Sequence, residues 1–100
     1  MKLILKSSEV KDNVSNIMRK ISYIFQGRSD DGEYNLVRPL GRQGYPRFHL
    51  YLRIDEEELI FNLHLDQKKP SYSGMTAHSG EYESEIVKKE GERIRQVLIN

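Results

Sequence analysis

The sequence contains no cysteine and no tryptophan, and only three prolines. Without thiols it has no disulfide framework, zinc ribbon, thiolate-held iron–sulfur cluster or cysteine nucleophile. Long apolar runs are missing too: near the start only Leu3, Ile4 and Leu5 stand together before Lys6, far short of a signal-peptide core or a membrane span. A cytoplasmic protein is expected. Neither charge dominates, since 16 Lys and Arg face 15 Asp and Glu for a formal net charge of +1. That excludes both the strongly basic balance of a general nucleic-acid binder and the acidic balance of a nucleic-acid mimic, so any electrostatic site must be local. No GK[ST], GxGxxG or GxSxG motif occurs, which removes the P-loop, the dinucleotide fingerprint and the hydrolase elbow.

What is there suits one domain. Of 100 residues, 37% are hydrophobic, enough for a single core. Leu3 and Leu5 between Lys2, Ile4 and Lys6 suggest a short strand. Val10, Val14, Ile17, Met18, Ile21, Ile24 and Phe25 recur at spacings of three and four, which predicts a helix capped at Ser7 or Ser8 and ended by Gly27. Turn chemistry follows in RSDDGE (28–33), then a strand from Tyr34 to Arg38 stopped by Pro39. PLGRQGYP (39–46) reads as a loop.

The clearest pattern lies in the middle of the chain. Phe48, Leu50, Leu52 and Ile54 alternate with His49, Tyr51, Arg53 and Asp55, and Leu59, Phe61, Leu63 and Leu65 alternate with Ile60, Asn62, His64 and Asp66. Each strand therefore has one apolar face, and the acidic link 55–58 is short enough for an antiparallel hairpin. A one-residue slip would turn one apolar set outward. The matching register pairs Ile54 with Leu59, Leu52 with Phe61, Leu50 with Leu63 and Phe48 with Leu65. On the other face it sets Arg53 against Ile60, Tyr51 against Asn62, His49 against His64 and Arg47 against Asp66.

Tyr82, Ile86, Val87, Ile94, Val97 and Leu98 predict a second helix, with Ser79 as its cap and Gly91 inside its stripe. Gly91 marks either a weak point or a close approach of the helix backbone. The fold class expected is α+β: a small antiparallel sheet of three to four strands with two helices on one face, in the order (β)-α-β-β-β-α.

In the stretches FQGRSDDGE, RPLGRQGYPRFHLYL, NLHLDQKKPSYSG and AHSGEYE the chain resembles a family of small bacterial proteins to which no activity has been assigned. The resemblance spans most of 25–93. It implies a bacterial cytosolic protein and brings no catalytic residue, cofactor or partner with it. The order of helix, three strands and helix also resembles double-stranded-RNA-binding domains. Those domains usually open their second helix with a lysine-rich turn, whereas Glu81, Glu83 and Glu85 stand here, which disfavours a duplex-RNA reading.

Three functional readings arise. In the first, Arg47, His49, Tyr51, Arg53, Asn62 and His64 on the polar sheet face, with Lys68 and Tyr72 from the 67–80 loop, bind an anionic ligand such as nucleic acid. Arg38, Arg42, Arg47 and Arg53 lie in a stretch without a carboxylate, and Tyr residues interleave with them. In the second, His49, His64, Asp66 and His78 hold a divalent transition metal for hydrolysis, since opposed imidazoles on paired strands can reach one ion. In the third, the strand from Tyr34 to Arg38 lies at a sheet edge and pairs with a partner chain or a second copy.

Overall fold

The computed structural model describes residues 1–67 and 80–99, with side chains in the second stretch from 84 onward. Strand β1 (Lys2–Lys6) leads through a single 3₁₀ turn to helix α1 (Val14–Ile21). Strands β2 (Ile24–Arg28), β3 (Tyr34–Pro39), β4 (Arg47–Ile54) and β5 (Glu58–Asp66) follow, then helix α2 (Gly80–Ile99). The strands form one antiparallel sheet in the order β1-β5-β4-β3-β2. The fold is α+β as expected, but the sheet has five strands rather than three to four.

The additional strand, β2, comes from the end of the helix predicted through Gly27. Asn13, not Ser7 or Ser8, caps α1, its side chain accepting from the Asn16 amide at 2.9 Å. Ser22 ends the helix in the left-handed region at φ 69°, and Arg93 donates to the freed Ile21 carbonyl at 2.5 Å. Ile24 and Phe25 therefore leave the helical stripe for an edge strand, where they are 54% and 47% exposed. Their helical spacing was coincidental, because an eight-residue helix already supplies the buried Ile17 and Ile21. With four strands following α1, the likeness in element order to double-stranded-RNA-binding domains is lost. A register shift between Phe25 and Gly27, with Gly27 at φ +143°, sets Arg28 opposite Tyr34. Its guanidinium lies 4.3 Å from the centre of that ring, a side chain re-aimed by a β-bulge.

The β4–β5 register is the predicted one at all eight pairs from Arg47↔Asp66 to Ile54↔Leu59. One face of the sheet meets the helices in a core that includes Leu36, Leu50, Leu52, Phe61 and Leu63 from the strands, Ile17 and Ile21 from α1, and Ile94 and Leu98 from α2. Each such side chain contributes roughly 1.5–3 kcal/mol by leaving water.

Within this packing Glu90 is only 4% exposed. Its carboxylate accepts from the Tyr23 hydroxyl at 2.7 Å, from Arg38 at 3.0 Å and from Arg93 twice at 2.9 Å. Burial, and then the neighbouring carboxylate, push the Tyr23 hydroxyl far above its usual value. The Glu90 carboxylate likewise raises Arg93. The network ties α2 to β3 and to the segment between α1 and β2.

Gly91 is a point of close approach. A Cβ there would collide with the Met1 side chain, whose backbone exchanges two hydrogen bonds with Leu63 at 3.0 and 2.8 Å.

Candidate functional site on the open sheet face

Strand alternation sends Arg47, His49, Tyr51 and Arg53 of β4, and Asn62, His64 and Asp66 of β5, away from the helices. This is the face expected from the sequence. Lys68, Tyr72, His78 and almost all of the 67–80 loop lie outside the described residues.

His49 is the centre of a polar chain. Its Nδ1 faces Asp66 Oδ2 at 3.2 Å and its Nε2 faces Asn35 Oδ1 at 2.6 Å. With Asp66 as acceptor, Nδ1 carries a proton. The Asn35 amide serves a neutral or a protonated ring according to which way it is turned. Arg47 Nε donates to the same Asp66 oxygen at 3.2 Å, and its guanidinium lies 4.6 Å from the Tyr45 ring centre. Asn35 had been missed, although the inward alternation of Tyr34 and Leu36 already implies that it points outward beside β4.

Beside this chain lies a row of rings. His49 stacks on Tyr51 with centroids 4.6 Å apart, and His64 and Tyr51 meet in a T-shaped contact with centroids 6.0 Å apart. His64 is exposed, and Tyr51 and Asn62 are half-buried. Arg53, at the far end of β4, pairs with Asp31 at 3.1 Å and Glu33 at 3.5 Å. The Ser29 hydroxyl, and behind it Arg53, helps hold the Asp31 carboxyl below its usual value.

Two expectations are corrected. Arg38 does not join the basic surface, because its place on β3 opposite Phe48 puts it on the helix side, where it binds Glu90. The strand Tyr34–Arg38 is not an edge, since β2 covers its free side. For the metal reading, both ring nitrogens of His49 face protein partners, and among the described residues no three His, Asp or Glu side chains gather around a common point. No described helix is long and apolar enough to cross a membrane.

No protein-family model, curated protein or solved structure matches the chain. The functional reading rests on the residues themselves.

Proposed function

We propose that the chain is a small binding module whose open sheet face takes an anionic ligand carrying planar rings, single-stranded nucleic acid being the class that best fits its chemistry. The observation behind this reading is the ring row His49–Tyr51–His64 on an open face, with Arg47 and Arg53 on either side of it on β4. Bases stack on aromatic side chains with little regard to sequence, and guanidinium groups hold the phosphates between them. Arg47 and Arg53 are already paired, but with side chains 25% and 45% exposed. An ion pair as exposed as that of Arg53 contributes about 0–1 kcal/mol, so a phosphate can displace its carboxylates at small cost. The part-buried Arg47 instead keeps Asp66 and offers its remaining guanidinium N–H groups.

The test is fluorescence anisotropy with labelled twelve-residue oligo-rU and oligo-dT. Saturable binding should weaken as salt rises from 50 to 200 mM, and Tyr51→Ala should cost about 1–3 kcal/mol, or roughly 5- to 150-fold in affinity. Tight binding that ignores both salt and the loss of the Tyr51 ring would overturn the reading.

A further inference from the structure

The two sheet edges differ. At β2 the bulge between Phe25 and Gly27 breaks the row of backbone groups, a feature that blunts an edge against pairing. Strand β1 is regular and held at both ends. Met1 and Leu63 exchange both backbone bonds, and the Ser7 amide donates to the Glu57 carbonyl at 2.9 Å. In an antiparallel ladder such hydrogen-bonded pairs alternate with non-bonded ones. Leu3 and Leu5 therefore bond to β5 as well, while the N–H and C=O groups of Lys2, Ile4 and Lys6 point away from β5, to an edge that no described strand covers.

The side chains of those same three residues share the open face, opposite Asn62, Ile60 and Glu58. Ile4 is 48% exposed, and Lys2 and Lys6 make no ion pair among the described residues. A strand added to this edge thus meets a cation, an aliphatic side chain and a second cation at alternate positions. Lys6 has Glu58 across from it on β5, so Lys2 carries the larger share of the charge selection. A second copy is a poor occupant, because full-length antiparallel pairing of two β1 strands sets Lys2 of each against Lys6 of the other.

We infer that the β1 edge is a docking site for an extended acidic segment of a partner protein, with the alternation acidic-x-aliphatic-x-acidic, which joins the sheet as a sixth strand. Main-chain bonds to Lys2, Ile4 and Lys6 supply affinity, and the flanking lysines select the partner. The pattern reads the same in both directions, so it suits a parallel or an antiparallel strand. The site adjoins the proposed nucleic-acid face, since Lys2 lies opposite Asn62, but it rests on the strand edge and survives the failure of that reading.

The experiment is an amide NMR titration of the full chain with the end-blocked peptide Ser-Glu-Thr-Val-Thr-Glu-Ser. Saturable shifts are expected at the edge, with new protection from hydrogen exchange at Lys2, Ile4 and Lys6. The peptide with Lys in place of both Glu should bind at least about fivefold more weakly, and the double variant Lys2→Glu/Lys6→Glu should reverse that preference. Both positions are exposed. The one like-charge contact introduced, between position 6 and Glu58 across the ladder, is exposed as well and destabilises only weakly. The variant therefore keeps its fold, which the dispersion of its spectrum checks. No shift at these amides, equal binding of both peptides, or an unchanged preference in the variant would overturn the proposal.

Discussion

Replacing Glu90 with Ala leaves two guanidinium groups and the buried Tyr23 hydroxyl without their shared acceptor. Removing one partner of a buried ion pair costs about 3–5 kcal/mol, and since Arg38 and Arg93 are about one-third exposed, the lower end of that range applies. Urea unfolding measures it, and a loss below about 1 kcal/mol would mean that the network contributes little. Tyr23→Phe isolates a second effect. The folded-state value of Tyr23 is raised, so above about pH 10, where the unfolded chain releases this proton and the folded chain keeps it, stability falls with rising pH. The slope approaches about 1.4 kcal/mol per pH unit. In Tyr23→Phe that contribution to the alkaline loss should vanish, and parallel pH curves for the two proteins would refute the assignment. Nothing in the sequence singled out Glu90. Arg93 is three residues on, but Arg38 and Tyr23 stand 52 and 67 residues away in the chain, and only packing brings them to the same carboxylate.

At the scale of elements, α2 carries a glycine in its interior, which disfavours a helix by about 1 kcal/mol relative to alanine. Its purpose is room for Met1, and the colliding atoms are the far end of a flexible side chain that is 43% exposed. Gly91→Ala should therefore raise stability by up to about 1 kcal/mol, while loosening the start of β1, seen as faster amide exchange at Leu63. A clear drop in melting temperature would show that the Met1 packing outweighs helix propensity. The contrast between α1 and β5 shows where periodicity succeeds. On β4 and β5 the alternation admits one register, since a slip would turn Phe48, Leu50, Phe61 and Leu63 to solvent. The stretch from Val10 to Phe25 satisfies a helical spacing that Asn13 and Ser22 cut short, so Ile24 and Phe25 fall on an exposed edge strand instead.

For the whole molecule, layering separates two kinds of surface. Both helices pack on one face, no described helix or strand covers the polar rings of the other, and β4 lies at the centre of the sheet with partners on both sides. Native-state hydrogen exchange should follow that order. The amides of Leu50 and Leu52 on β4 should exchange only with global unfolding, and those of the bulged edge β2 at least about tenfold faster. Uniform protection across the sheet would contradict the placement of β2 as an edge strand.

By itself the sequence determined the β4–β5 hairpin, its register, and hence the outward company of Arg47, His49, Tyr51, Arg53, Asn62, His64 and Asp66, because neighbours across a two-stranded ladder follow from alternation alone. It also determined the α+β class. Only the tertiary structure decided what depends on long-range packing: that Tyr34–Pro39 is internal, that Arg38 turns inward to Glu90, that Asn35 joins His49, and that β1 presents its lysines along a free edge. In each case a side chain's role depends on a partner strand or helix that local pattern does not name, and the burial of apolar area across the whole domain selects among the alternatives.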